Sequence, residues 1–178
     1  HLRRMVEIKP NLQLLDVGAG PGSISISLAA HLPQGTVVAT DISEEVLQQA
    51  SIHAKEAGCD NIRFQAADVY KLPFADNSFD IVHVSQVLNH LDDPVSALRE
   101  MIRVCKPEGL LAACEADMRS WICYPDFPAL QQFCKLMGEL MPRKITGLKL
   151  ISFCLEAGVK RDNIQFTTGT YCFSTLAE

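Results

Sequence analysis

The chain has 178 residues, 48% of them hydrophobic and 7% aromatic, with 21 acidic and 16 basic side chains. This size suits one globular α/β domain, and a net charge of −5 without a basic block argues against nucleic acid as the main partner. No apolar run is as long as a membrane span. Seven scattered cysteines without a C-x-x-C pair argue against a zinc site or a secreted disulfide scaffold, and they favour a cytoplasmic protein.

The first predicted element after residue 10 is a buried strand, residues 12–17, that ends at a glycine turn. Gly18, Gly20 and Gly22 follow it with single-residue spacing. Glycines allow a sharp bend and a close approach of a ligand, and a predicted helix over 23–32 would direct its first N–H groups at the turn. The spacing is tighter than the dinucleotide pattern G-x-G-x-x-G. It predicts a nucleoside-type ligand, with a plain strand–helix turn as the alternative.

Strands and helices alternate from there to residue 114. Further strands are predicted at 36–40, 62–66, 79–84 and 110–114, with helices at 44–57 and from Asp93-Pro94 onward. Although residues 24–28 alternate like a strand, a parallel sheet needs a crossover helix there. The pattern predicts a doubly wound, mainly parallel sheet with helices on both faces. After an aromatic, proline-broken stretch we expect helices at 128–141 and 148–157 and a last strand at 164–173.

Carboxylates mark the first three predicted strands. Asp41 ends the second strand and could accept both hydroxyls of a ribose, or it could only complement the dipole of the next helix. Asp68 follows the third strand and could accept a hydrogen bond from an adenine amino group, with Ile42 and Val69 against the ring. It could also be only a turn residue. Asp16, inside an apolar strand, needs a partner such as an ammonium group or backbone donors.

These motifs, taken in order, resemble one enzyme family. They are LLDVGAGPG at 14–22, DIS at 41–43, AD at 67–68, LPF at 72–74, SFDIV at 78–82, HL at 90–91, DP at 93–94, LRE at 98–100 and RVCKPEGL at 103–110. The series resembles the class I S-adenosylmethionine-dependent methyltransferases, in the small-molecule branch similar to the ubiquinone and menaquinone biosynthesis enzymes. The resemblance covers residues 10 to 115, and residues 158–175 resemble fungal-type members of that branch.

The resemblance implies a Rossmann-like fold and a set of cofactor-binding residues. The first carboxylate and the glycine turn would hold the methionine part of S-adenosylmethionine, the second carboxylate the ribose, and the third the adenine. The end of the fourth strand would lie along the amino group of the cofactor and face the acceptor. The implied set is Asp16, Gly18, Ala19, Gly20, Gly22, Asp41, Ile42, Ala67, Asp68, Val69, Ser85 and Gln86.

The expected chemistry is an in-line transfer of a methyl group to a small-molecule acceptor, with no metal. His90 follows the fourth strand and is the candidate general base, because histidine titrates near neutral pH. It could instead pack against the loop or cap the next helix. Trp121, Tyr124 and Phe127 could form the floor of an apolar acceptor pocket or pack as a lid. His83, inside the fourth strand, is expected to be a core residue.

We expect one methyltransferase-like domain over residues 1–178, with a cofactor-binding core at 10–115 and an acceptor-side helical segment at 116–160. Compared with the family, the chain is expected to be trimmed at both ends and to lack the last strand. Two alternatives stay open. One is a catalytically inactive binding module, and the other is a nicotinamide-dependent oxidoreductase, which the glycine spacing disfavours. Nothing in the sequence indicates an oligomeric state.

Overall fold

The computed structural model describes residues 11–117, 127–140 and 145–168, and a five-stranded sheet forms its centre. The strands are β1 (Gln13–Val17), β2 (Thr36–Asp41), β3 (Ile62–Ala66), β4 (Phe79–Ser85) and β5 (Cys105–Cys114). The helices are α1 (Ser23–Ala30), α2 (Glu44–Glu56), α3 (Pro94–Val104), α4 (Pro128–Leu140) and α5 (Thr146–Glu156), with short 3-10 turns at Leu88–His90 and Arg161–Asn163. None of these helices is long and apolar enough to cross a bilayer.

The strand order explains where a ligand would bind. The strands lie in the order β3-β2-β1-β4-β5, and every pair is parallel. The chain runs from β1 outward to β2 and β3, and then returns to the other side of β1 for β4 and β5. The order therefore reverses beside β1, and open parallel sheets bind ligands beyond the carboxyl ends of their strands at that reversal. The glycine turn lies at this point.

The sheet is covered on both faces, which confirms the predicted doubly wound fold. Successive strand side chains point to opposite faces, so Leu15 and Leu14 enter different clusters. Leu15 packs with Leu98 of α3 in one core cluster. Leu14 packs with Ile81 of β4 and Ala29 of α1 in the other. Burying a side chain of this size contributes about 1.5–3 kcal/mol, so both faces anchor β1 in the middle of the sheet.

Capping residues fix where two helices begin and where one ends. The Ser43 hydroxyl accepts a hydrogen bond from the backbone N–H of Val46 at 3.3 Å, and it caps α2. Gly58 follows that helix with a left-handed φ of +65°. The Asp93 carboxylate accepts from the N–H of Ser96 at 2.9 Å and caps α3. Such caps satisfy backbone groups that have no partner inside the helix.

Several boundaries differ from the prediction. The alternating segment after the glycine turn is helical, as expected, but α1 ends at Ala30. Strand β5 begins at Cys105 rather than Leu110, because Cys105 already pairs with Phe79 before a register shift in β4. Residues 164–168 form no strand, since none of the described strands pairs with them. The remaining residues of that predicted strand, 169–173, lie outside the described ranges. Residues 118–126 and 1–10 also lie outside them.

Candidate cofactor site

The glycine turn is left-handed at all three glycines, but their surroundings differ. A Cβ atom on Gly18 would lie 2.3 Å from Cγ2 of Val87, and one on Gly22 would lie 2.8 Å from the Cβ of Ala50. A Cβ atom on Gly20, where φ is +53°, would meet no described atom within 4 Å. The turn is thus packed against Val87, in the turn that follows β4, on one side and against α2 on the other. Its middle glycine faces open space, where a ligand can approach the backbone.

The carboxylate of Asp41 ties β2 to this turn. Its Oδ2 accepts a hydrogen bond from the N–H of Gly20 at 2.9 Å, and its Oδ1 accepts from the N–H of Ser43 at 3.1 Å. An ionised carboxylate has about four acceptor positions. Asp41 therefore keeps capacity for further donors, such as the two hydroxyls of a ribose, beside the open face of Gly20. The side-chain cap of α2 comes from Ser43, whose own N–H donates to Asp41.

Asp16 lies beneath the turn in a buried polar network. Its side chain is inside the core, with the residue 3% exposed. Its Oδ2 accepts from the hydroxyl of Ser25, and its Oδ1 lies 2.7 Å from Nδ1 of His83. The sequence suggested an ammonium group or backbone donors as partners, whereas the structure provides an imidazole and a hydroxyl. His83 is accordingly not a plain core residue, since its ring is bonded to the carboxylate across β1 and β4.

The residues expected around adenine follow the ends of β2 and β3. The N–H of Ala67 donates to the carbonyl of Asp41 at 3.0 Å, which joins the two strand ends. Ile42 is 78% exposed at this edge, and an aliphatic surface suits the face of an aromatic ring. Val69 packs at the border of the core. The Asp68 side chain is exposed and accepts from the N–H two residues later at 2.9 Å, so the turn interaction that was the alternative is present.

The loop after Asp68 is held in place by α3. Glu100 accepts a hydrogen bond from the N–H of Leu72 at 3.0 Å. Arg103 donates to the carbonyls of Leu72 and Phe74 at 3.0 and 2.8 Å, and it is also paired with Glu100. The hydrogen bond from Arg103 lowers the pKa of the Glu100 carboxyl. This network fixes the loop that follows Asp68. Sequence reasoning assigned neither α3 residue a role.

A buried carboxylate fixes the turn that follows β4. Oε1 of Glu115 accepts hydrogen bonds from the N–H groups of Val87 and Leu88 at 2.9 and 2.8 Å. Gln86 has a left-handed φ of +57°, and its N–H donates to the carbonyl of Cys114 at 2.9 Å. Burial raises the pKa of Glu115 against these backbone bonds. Sequence reasoning missed Glu115, although a carboxylate directly after an apolar strand was the signal used for Asp41.

His90 lies at the same edge of the sheet. It ends the 3-10 turn after β4, its N–H donates to the carbonyl of Val87 at 2.9 Å, and its side chain is exposed. Asp93, and not His90, caps α3. Ser85, the last residue of β4, is half-buried opposite Cys114. Phe127 is 57% exposed, while the other two aromatic residues of the expected acceptor pocket lie outside the described ranges.

The structure thus brings the predicted residues to one edge of the sheet. Hydrogen bonds connect the glycine turn to Asp41, Asp41 to Ala67, and the turn after β4 to Glu115. Among the residues that the structure describes, no group of three or more His, Cys, Asp or Glu side chains is arranged to hold a metal ion. The site is a rim of carboxylates and exposed backbone, suited to a neutral sugar and a cationic group.

Comparisons with known proteins agree with this geometry. A family model described as a methyltransferase domain matches residues 8–158. An uncharacterized methyltransferase of Schizosaccharomyces pombe, C1B3.06c, is 35% identical over 176 residues, which cover 94% of this chain and 63% of that protein. The ubiquinone/menaquinone biosynthesis C-methyltransferase UbiE of Bdellovibrio bacteriovorus is 40% identical over 121 residues, covering 68% of this chain and 50% of that enzyme.

A solved structure of a putative methyltransferase from Bacillus halodurans superimposes with a TM-score of 0.67 at 26% identity, covering 88% of this chain and 68% of that one. The family resemblance and the Rossmann-like fold expected from the motifs are therefore confirmed. The chain spans 63% and 50% of the length of the two curated relatives named above.

Proposed function

The chain belongs to the family of methyltransferase domains, and we propose that it binds S-adenosylmethionine at this rim and transfers its methyl group to a small-molecule acceptor. One observation carries the proposal. The open face of Gly20 lies beside the Asp41 carboxylate, which is bonded to the same glycine at 2.9 Å and retains acceptor capacity. A nucleoside sugar fits both features, since its hydroxyls can donate to the carboxylate and the absence of a Cβ lets its ring approach the backbone closely.

The proposed contacts follow the geometry of the rim. Asp41 would bind the ribose, and Ile42 with Ala67, Asp68 and Val69 would enclose the adenine. The methionine part would lie over the remaining residues of the site, which are Asp16, Gly18, Ala19, Gly20, Gly22, Ser85 and Gln86. The open backbone at Gly20 and the unused lone pairs of Asp41 fit this cofactor, and the carboxylates complement its positive charge.

The chemistry assigned to the chain is mainly positioning. When bound, S-adenosylmethionine supplies a methyl carbon activated by its sulfonium, so the chain needs no electrophile of its own. The rim would hold the donor in line with the acceptor. His90, exposed at the same edge, would take the proton of an acceptor hydroxyl or amine as the nucleophile attacks.

We assign the cofactor-binding core to residues 10–115 and the acceptor side to residues 116–160, within one domain. The acceptor is proposed to be small and aromatic or lipophilic, which the name of the Bdellovibrio relative supports. The seven scattered cysteines, which include no C-x-x-C pair, support a reducing compartment such as the cytosol.

Isothermal titration with S-adenosylhomocysteine tests the first half of the proposal, with NADH as the competing ligand. We expect saturable binding of adenosylhomocysteine and none of NADH. Absence of adenosylhomocysteine binding at millimolar concentration defeats the proposal, and binding of NADH alone would favour an oxidoreductase. Mass spectrometry of reactions with quinols, phenols and amines then tests transfer. Cofactor binding without turnover on any acceptor would identify a catalytically inactive binding module.

A further inference from the structure

The buried network under the glycine turn joins three polar side chains from three elements. Parallel pairing of β1 and β4 places Asp16 directly opposite His83, and their side chains meet at 2.7 Å. Ser25 reaches the other carboxylate oxygen from the first turns of α1, directly after the glycine turn. Both oxygens of this carboxylate are therefore held by the chain itself, 3% exposed at the end of the central strand.

Packing alone does not require this network. The same face of the sheet is filled by Leu14, Ile81 and Ala29, all at most 1% exposed. Apolar side chains of similar volume would fill the site without the cost of removing a carboxylate and an imidazole from water. A buried, fully bonded polar network instead fixes one rotamer and one orientation of its central group. Here the central group is the carboxylate that lies closest to the glycine turn in sequence.

We propose that His83 is a positioning residue for the amino-acid part of the cofactor. Its imidazole holds Oδ1 of Asp16 while Ser25 holds Oδ2, so that the carboxylate keeps one orientation beneath the turn. The group that a carboxylate in this place would complement is an α-ammonium. The inference rests on the proposed function, because it presumes that an adenosyl amino acid binds at the rim. It adds a role for a β4 residue for which the sequence predicted only packing.

A pair of ligands isolates this effect. S-adenosylhomocysteine carries the ammonium group, whereas 5′-methylthioadenosine shares its adenine, ribose and sulfur but lacks the amino-acid part. Titration calorimetry on His83→Leu should show a loss of about tenfold in affinity for adenosylhomocysteine, the size expected for one disturbed charged contact. The affinity for methylthioadenosine should stay within about twofold, since Asp41 and the adenine side are unchanged.

His83→Asn is the matched control, because its side-chain amide places a donor near the position of Nδ1. It should recover most of the lost affinity for adenosylhomocysteine. Ser25→Ala disturbs the same carboxylate from its other oxygen and should show the same ligand selectivity. Thermal unfolding of each variant reports its folded fraction, and if His83→Leu does not fold, the Asn and Ser25 variants decide the question.

Equal losses for both ligands, or an unchanged affinity for adenosylhomocysteine in His83→Leu, would overturn the inference. So would Ser25→Ala weakening both ligands alike. If the unmodified chain binds neither ligand, the proposed function itself fails. If it binds both and only the selectivity is missing, the proposed function stands and the role of His83 falls.

Discussion

Replacing Asp41 by alanine is the sharpest test of where the sugar binds. The change removes an acceptor that is already oriented by the N–H groups of Gly20 and Ser43 at 2.9 and 3.1 Å. Two ribose hydroxyls would each lose a charged acceptor. Hydrogen bonds to charged groups contribute about 1.5–3 kcal/mol each, and part of this is recovered by water at a rim that is only half-buried. We therefore expect a loss of about 2–3 kcal/mol, or roughly 30- to 150-fold in Kd.

The assay is calorimetry with adenosylhomocysteine, repeated with adenosine and 2′,3′-dideoxyadenosine. The unmodified chain should prefer adenosine to the dideoxy compound, and Asp41→Ala should bind the two alike. Asp41→Asn keeps one acceptor and should fall between. Glu56→Gln, which removes a carboxylate from the exposed end of α2, is the charge-matched control and should change nothing. A persistent preference for adenosine in Asp41→Ala would show that the ribose lies elsewhere and refute the reasoning.

The remaining predictions concern the turn, the scaffold and pH. Gly18→Ala should lose roughly 2 kcal/mol or more of unfolding free energy in urea, because the new Cβ would lie 2.3 Å from Val87 at a left-handed φ. Gly20→Ala should cost only about 1 kcal/mol, yet weaken adenosylhomocysteine binding at least about tenfold in calorimetry by filling the open space; unchanged binding would place the ligand elsewhere. Asn61→Ala should lower stability by about 2 kcal/mol without affecting binding, since its Nδ2 donates to the carbonyls of Ala29 and Leu32 at 3.0 and 2.7 Å, at and just beyond the end of α1; an unchanged melting temperature would contradict this. Burial raises the pKa of Glu115, so the folded state retains its proton to higher pH than the unfolded state, and the unfolding free energy should fall as pH rises from about 4.5. Glu115→Gln should lack this component in pH-resolved denaturation, and identical pH profiles would argue against it.

Local signals in the sequence were enough to predict most elements of the sheet. Strand β3 at Ile62–Ala66 has the predicted bounds, and β1, β2 and β4 differ by one residue at one end. Helices α2 and α3 begin where the sequence indicated, at Glu44 and Pro94, directly after the capping residues Ser43 and Asp93. Such features depend on neighbouring residues, because a cap bonds to N–H groups two or three positions away and a strand shows its own periodicity. Strand β5 was harder, since its first residues pair through a register shift that no local pattern reveals.

In the candidate site, too, some features could be predicted from the sequence and others could not. The glycine turn and the strand-end carboxylates Asp16, Asp41 and Asp68 could be read from the sequence, because parallel strands must end at a common edge. The hydrogen-bond partners of these residues could not be predicted. The hydrogen bond between Asp41 and Gly20 depends on the β1–β2 register. The hydrogen bond from Val87 to Glu115 depends on where the segments after β4 and β5 lie relative to each other.

By itself, then, the sequence determined the alternation of strands and helices, the family, and the carboxylates at the strand ends, because these are properties of short segments and of their order. Only the tertiary structure decided that Gly20 is the glycine that faces open space, that His83 bonds to Asp16, and that Glu115 holds the turn after β4. Each of these depends on atoms brought together across strands that are distant in the chain. Such contacts arise from register and packing, which no single segment encodes.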